Sequence, residues 1–459
     1  MQNVTTTREQ HACLLRDEWL TTMATASLAP AADASSGGGA AAGAFSEGGA
    51  SLEHQQPEGA QQPQSWETLT SPLMTAAELE PLTVCASAPA DELRAVLDTF
   101  GVAVVTNVLD ASECARMEGL WRQDLLHAVD AQATHSPHTK RTLAAIQESG
   151  VRAWPHAWSP AVGKHGVASQ RGLPHGSFAW ACRLHPGVRR IFAEVFGVED
   201  GAQMSTGLDC TFFSAADSAA AETNSQWLHV DQNHHRGRTE LCFQGVLYIW
   251  PSSSTADSTT VVWPGSHREV YARLMDDDTA KQGKGNGQQL NHLADGGVRA
   301  ELLQMASCCA RRVPCPAGSL LLWDSRVVHQ GWRGGPRLAQ PVCWEPRDSG
   351  DEAGAHRRKL WMCATGTPST HSANEGRVHG MSRGRAQPEA ESEGAPAMRS
   401  MLVPASVDPG RLEQWHQHID HMLPLGSKKK MKKLIADTFK AAEQSAIQGL
   451  LREEVASAL

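Results

Sequence analysis

Between Met204 and Trp344 the chain is a succession of short apolar runs cut by tight turns, and this rhythm demands a strand-built core. Phe243-Gln-Gly-Val-Leu-Tyr-Ile-Trp250 stops at Pro251 and a serine cluster. Thr259-Thr-Val-Val-Trp263 ends in Pro264-Gly265, and Cys315-Pro-Ala-Gly318 turns into Ser319-Leu-Leu-Leu-Trp-Asp324. Gly334-Gly-Pro336 then opens a last run from Arg337 to Trp344. Runs of four to eight such residues bounded by Gly, Pro and Ser predict buried strands.

Within this region lies His229-Val-Asp231, followed about a hundred positions later by His329 in Trp323-Asp-Ser-Arg-Val-Val-His329-Gln-Gly331. On a strand, residues i and i+2 project from the same face, so His229 and Asp231 point together while Val230 points away. Two imidazoles and one carboxylate form the ligand set of a non-haem Fe(II) facial triad. Zinc suits the same donors, which leaves a hydrolytic metal site as an alternative. The eleven cysteines contain no Cys-x-x-Cys pair, and Cys308-Cys309 with Cys315 lacks zinc-finger spacing.

With these residues in view the chain resembles the phytanoyl-CoA dioxygenase-like Fe(II)/2-oxoglutarate oxygenases. The resemblance rests on Trp227-Leu-His-Val-Asp-Gln232, Pro264-Gly-Ser-His267, Trp323 to Gly331 and an arginine shortly beyond. Glu92 to Leu109 is similar to the family's helix-then-strand opening, so the matching stretches run from about Glu92 to Trp344. Several motifs in the family's order are far more specific than His-x-Asp alone. The resemblance implies a double-stranded β-helix, a jelly-roll and cupin-like α+β, mainly β fold, with helices flanking one side. It implies His229, Asp231 and His329 as catalytic iron ligands, and Arg337 as the partner of the 2-oxoglutarate carboxylate. A guanidinium meets a carboxylate with two parallel hydrogen bonds. Arg333, in the preceding turn, is the competing arginine.

The activity so implied is hydroxylation of a small-molecule or lipid-like substrate by dioxygen, with 2-oxoglutarate oxidised to succinate and carbon dioxide and ascorbate as accessory reductant. Retention of Asp231 favours hydroxylation over halogenation, since related halogenating enzymes carry a small residue there. A catalytically silent jelly roll that binds metal or ligand is the alternative from another class.

Neighbouring residues carry two readings each. His234 and His235 lie in a polar segment and read as solvated rim residues. His267 reads as structural. Arg183 is either an anion contact for substrate or a structural salt bridge. For His329, nearby Asp324 and Arg326 offer other partners. Arg236, Arg238 and Lys284 are either an anion-attracting rim or ordinary surface.

The rest of the chain bounds the reading. A net charge of −9 argues against nucleic acid as a partner. No apolar run reaches the length of a membrane span, and the first residues lack an apolar signal core. With an odd number of cysteines, this favours an intracellular, cytoplasmic protein with reduced thiols. Residues 1–76 read as a mostly disordered segment, being rich in Ala, Gly, Ser, Gln and Pro from Ala26 to Gln64. Residues 77–203 read as a helix-rich part, with Val188 to Phe196 stopping at Gly197. Residues 204–347 form the catalytic core, interrupted at 276–298 by either a lid or a passive loop. Residues 348–459 are a partly disordered extension. From Asp408 onward it is predicted helical, with Leu434, Ile435, Phe439, Ala442, Ile447 and Leu451 on one face. Lys428 to Lys433 reads as a hydrated charge run rather than an import signal.

Overall fold

Where the apolar runs predict strands, strands form, and they assemble into two facing sheets. The computed structural model describes residues 71–133, 166–169, 171–199, 204–214, 227–236, 241–282, 288–289, 298–347, 352–374, 405–419 and 441–459. The low-complexity stretch 26–64, residues 134–165 and 375–404, the lysine run at 428–433, Arg238 and Lys284 lie outside them.

Numbered in chain order, the large sheet runs β1 (Thr83–Cys85), β2 (Val102–Thr106), β11 (Ser319–Asp324), β7 (Phe243–Tyr248), β13 (Arg337–Val342), β5 (Thr211–Ser214) and β3 (Val167–Ala168). The small sheet runs β10 (Arg311–Arg312), β8 (Thr259–Val262), β12 (His329–Trp332), β6 (His229–Val230) and β9 (Gln288–Gln289). Met204–Thr206 (β4) and Trp344–Pro346 (β14) pair separately. This is the expected jelly roll.

The pleat sorts each apolar run into two faces. On β11, Leu321 and Trp323 meet Val246 and Tyr248 of β7 and Val262 of β8 in a core between the sheets. Leu320 and Leu322 point the other way, with Phe243 and Leu247, beneath the helices Ala90–Phe100, Ala111–Ala133, Ser177–Arg183 and Pro186–Phe196. The small sheet is covered too: Val230 and Val261 pack with Tyr271 and Leu274 of helix Glu269–Asp276 and Leu302 and Ala306 of helix Val298–Cys309. Helices therefore cover both outer faces, which corrects the expectation of one side. The physical reason is that the small sheet also carries an apolar outer face, with Val230, Val261 and, just before β12, Val328, which needs a cover as Leu320 and Leu322 of the large sheet do. Fully burying one such Leu or Val contributes about 1.5–3 kcal/mol.

Two turns match their sequence signals. Gly101 closes its helix in the left-handed conformation (φ 70°), and a Cβ there would lie 2.5 Å from the His267 ring. Gly197 ends helix Pro186–Phe196 in the same conformation, as the sequence predicts.

The insertion at 276–298 is not simply a loop. Asp278–Lys281 forms a helical turn, and β9 pairs with β6 so that Gln289 sits opposite His229. Residues 283–287 and 290–297 lie outside the described set. An edge strand needs only backbone pairing, so Gln288-Gln289 carries no apolar alternation to betray it.

Beyond the core, helices Glu352–Thr365, Leu412–Ile419, Ala441–Leu450 and Glu453–Ala458 share a cluster containing Trp361, Trp415, Ile447, Leu451 and Val455. Ile447 and Leu451 are buried as predicted, whereas Ala442 is exposed; Leu434, Ile435 and Phe439 lie outside the described residues. No described helix is long and apolar enough to cross a membrane.

Candidate metal centre

Antiparallel pairing of β6 with β12 puts His229 directly opposite His329, which joins two residues a hundred positions apart. Val230 turns outward into the helix-covered cluster, so its neighbours project inward, as period two requires. Asp231 completes the group. One oxygen of its carboxylate lies 3.2 Å from His229 Nε2 and the other 3.1 Å from His329 Nε2. One ligand atom from each of the three residues falls within 4.8 Å of the others.

Both rings are held by the same device. His229 Nδ1 lies 3.0 Å from the Trp227 carbonyl, and His329 Nδ1 lies 3.0 Å from the Val327 carbonyl. A carbonyl accepts only, so each Nδ1 carries the proton and each Nε2 presents its lone pair to the centre. Trp227 stacks on His229 with ring centres 4.8 Å apart, and Trp323 tilts against His329 at 5.0 Å.

Asp231 is pinned by residues the sequence reading did not single out. Its backbone N–H donates to the Ser325 carbonyl at 3.0 Å, and Gln244 Nε2 donates to its carboxylate at 2.7 Å. Gln244 interrupts the apolar run of β7 on the face that also carries Val246. A polar residue on the inner face of a buried strand was the available signal. Burial opposes the charge on Asp231, yet His329, His371 and His229 together hold its carboxyl well below the usual range. Burial lowers the His329 imidazole, opposed by Asp231.

Arg337 starts β13 on the same face as Ala339, which lies in the core between the sheets. Its guanidinium lies between the sheets, where Nη2 donates to Tyr248 Oη of β7 at 3.0 Å and to Thr260 Oγ1 of β8 at 3.2 Å. Phe212 packs against it with its ring centre 4.4 Å away. Only 7% of Arg337 is exposed, and no carboxylate among the described residues pairs with it. Its Nε–H is buried without a partner. Arg333 lies partly exposed in the turn before β13.

The remaining candidates fall outside the centre. His267 is buried and faces the Asp98 carbonyl at 3.3 Å, a structural bridge from its turn to helix Ala90–Phe100. His235, exposed, bonds to the Met275 carbonyl at 2.7 Å, and His234 is half-buried beside it. Arg183 is fully buried and donates to the carbonyls of Pro174 (2.7 Å) and Asp209 (2.6 Å), which makes it structural without being a salt bridge. Asp324 binds Arg326 at 2.8 Å, which leaves His329 free of both. None of the ten described cysteines is in a disulfide.

A sequence profile of the phytanoyl-CoA dioxygenase (PhyH) family matches residues 97–334. Among solved structures, similarities include the non-heme alpha ketoglutarate dependent carbocyclase SnoK from nogalamycin biosynthesis, at 13% identity over 58% of this chain and 88% of that one (TM-score 0.36). They also include the epimerase SnoN in complex with Fe3+, alpha ketoglutarate and nogalamycin RO, at 12% identity over 56% and 82% (TM-score 0.31). A putative oxidoreductase from Salmonella typhimurium LT2 shows 13% identity over 65% and 82% (TM-score 0.37). No curated protein matches the chain. The family profile spans more than half of the sequence, and the chain belongs to the phytanoyl-CoA dioxygenase family, whose enzymes use Fe(II) and 2-oxoglutarate.

Proposed function

We propose that this protein is an Fe(II)- and 2-oxoglutarate-dependent dioxygenase that hydroxylates a small or lipid-like molecule. In this reading His229, Asp231 and His329 hold the iron and Arg337 holds the co-substrate. The observation that carries it is the pairing of two features in one barrel. Three inward donors converge at one point, and a buried guanidinium has no acidic partner among the described residues.

The donor set fits the metal. Two Nε2 lone pairs face a carboxylate, an arrangement that calls for a cation among them. The co-substrate fits Arg337 for a related reason. An unpaired buried charge costs several kcal/mol, and a dicarboxylate would supply the missing partner.

Bound here, Fe(II) would supply the redox chemistry that couples dioxygen and 2-oxoglutarate to hydroxylation, with succinate and carbon dioxide as co-products. The chain's own residues do the rest. The Trp227 and Val327 carbonyls fix the tautomer of each imidazole. Gln244 and Ser325 fix the carboxylate. His229, Asp231 and His329 would hold the metal with room left for the co-substrate and dioxygen, and the apolar core around Tyr248, Val262 and Trp323 limits water. In this scheme residues 204–347 form the catalytic core, 77–203 contribute helices over it and strands β1, β2 and β3 of its large sheet, and 348–459 are an extension.

The test is succinate formation from 2-oxoglutarate by protein loaded with Fe(II) without oxygen and then aerated. Wild type should turn over, and Asp231→Ala should fall to background. A fully active Asp231→Ala protein would refute the ligand assignment.

A further inference from the structure

Three further metal-binding side chains meet in the large sheet. Cys242, Cys343 and Glu345 bring two thiols and a carboxylate together, and one donor atom from each lies within 4.8 Å of the others. All three residues are buried. None of them is a proposed iron ligand, so the cluster stands independently of the function proposed above. Period two builds it, as it builds the His-x-Asp pair: Cys343 and Glu345 are two apart where β13 runs on into β14, and they project from one face. The pairing of β13 with β7 sets Val342 opposite Gly245, and carried three places further it brings Glu345 opposite Cys242. The Cys242 thiol accordingly lies 2.6 Å from Glu345 Oε1. Cys-x-Glu has no zinc-finger spacing and the second thiol is a hundred residues away, so the sequence does not mark the group.

Each donor is held by its surroundings. The other Glu345 oxygen, Oε2, accepts from the Asn374 N–H at 2.8 Å and the Ser372 hydroxyl at 3.4 Å, which leaves Oε1 turned toward Cys242. The Cys343 carbonyl accepts from the Gly207 N–H at 2.8 Å and from Thr206 Oγ1 at 3.1 Å, and its thiol lies 3.3 Å from the Phe243 carbonyl. The Cys242 carbonyl accepts from the Ser325 N–H at 2.8 Å, and the Ser325 carbonyl accepts from the Asp231 N–H at 3.0 Å. Outer bonds of this kind orient ligands before a metal arrives.

We propose that Cys242, Cys343 and Glu345 form a second metal site, selective for Zn(II), that fastens the start of β7 to the junction of β13 with β14 and to residues 372–374. Two thiols select against Mg(II) and Ca(II), which take oxygen donors, and the carboxylate disfavours Cu(I). Donors on a tetrahedral zinc ion sit roughly 3.5 Å apart, so shifts of about 1 Å close this group on the ion. Binding releases both thiol protons to solvent, and the two positive charges of the ion offset two of the three negative charges of its ligands. A water molecule takes the fourth position.

The experiment titrates Co(II), a coloured stand-in for zinc, into reduced full-length protein without oxygen and reads the sulfur-to-cobalt charge-transfer absorption. In wild type this band should grow to saturation, and Zn(II) should abolish it. His229→Ala/His329→Ala should keep the band, because the proposed iron site offers no sulfur. Cys85→Ser/Cys308→Ser, which removes the two exposed thiols, should keep it too. Cys343→Ser should lose at least about half of the band, since one of the two thiolates is gone, and Cys242→Ser/Cys343→Ser should lose all of it. No band at saturating cobalt would show that the thiols only hydrogen-bond, and a band undiminished in Cys242→Ser/Cys343→Ser would place the sulfur elsewhere; either overturns the site. Should the variants at 242 and 343 not fold, cobalt-edge X-ray absorption of Cys85→Ser/Cys308→Ser decides: sulfur neighbours on the ion support the site, and nitrogen and oxygen alone overturn it.

Discussion

Replacing Arg337 by Met separates binding from stability in a way few other substitutions can. The guanidinium is 7% exposed, donates to Tyr248 and Thr260, and has no acidic partner among the described residues. Its removal deletes a buried charge whose desolvation costs several kcal/mol. Against this stand three neutral acceptors, Tyr248 Oη, Thr260 Oγ1 and the Thr259 carbonyl, and the packing on Phe212, together also several kcal/mol. Methionine has a similar stem and refills much of the space. The apo protein should therefore keep its urea midpoint or gain slightly. Binding of 2-oxoglutarate should behave differently. Losing two charge-assisted bonds of about 1.5 kcal/mol each removes about 3 kcal/mol, or about a hundredfold in Kd. Calorimetric titration of 2-oxoglutarate into the Mn(II)-loaded protein measures this directly, with Mn(II) affinity as control. The reasoning fails if Arg337→Met leaves Kd within threefold of wild type, or if Arg333→Met produces the loss instead.

Other substitutions probe the supports. Gln244→Leu removes the donor 2.7 Å from the Asp231 carboxylate and also an orphaned buried Oε1. Fe(II) affinity should fall about 10–100-fold with little change in melting temperature; unchanged affinity would show the contact to be idle. Gly318 has φ +74°, and a Cβ there would lie 2.2 Å from the Leu109 carbonyl oxygen. Gly318→Ala should cost about 2 kcal/mol or more in denaturant stability, and a neutral result would contradict the turn geometry. Lys359 is buried, and desolvation, opposed by Glu345, lowers its amine to about 7. Between pH 7 and about 10 the unfolded chain then binds more protons than the folded one, so stability should rise with pH. Lys359→Met should flatten that rise in urea titrations at pH 7 and pH 9.5, and an unchanged slope would show that this amine is not the cause.

The sequence carried the core because its signals there are local or strongly patterned. Phe243–Tyr248 and Ser319–Asp324 are apolar on both faces, and both became central strands of the large sheet. His229 and Asp231 are two apart on one strand, so their shared direction needed only the pleat. What the sequence could not show is which distant groups meet. Gln244 supports Asp231 across thirteen residues, and the Asp209–His371 pair spans 162. Neither has a spacing signature, because the register of the sheets alone brings them together. Gln288-Gln289 read as loop because an edge strand is defined by its neighbour's backbone, and β6 supplies that neighbour. Arg337 opens a strand where Arg333 sits in the turn before it, and Arg337 stands on the inward face of β13.

X-ray absorption at the iron edge of protein loaded with one equivalent of Fe(II) tests the central claim most directly. Multiple scattering from imidazole rings should indicate two histidines on the ion in wild type and one in His329→Ala. Iron bound without any imidazole, or a spectrum unaltered by His329→Ala, would contradict the account.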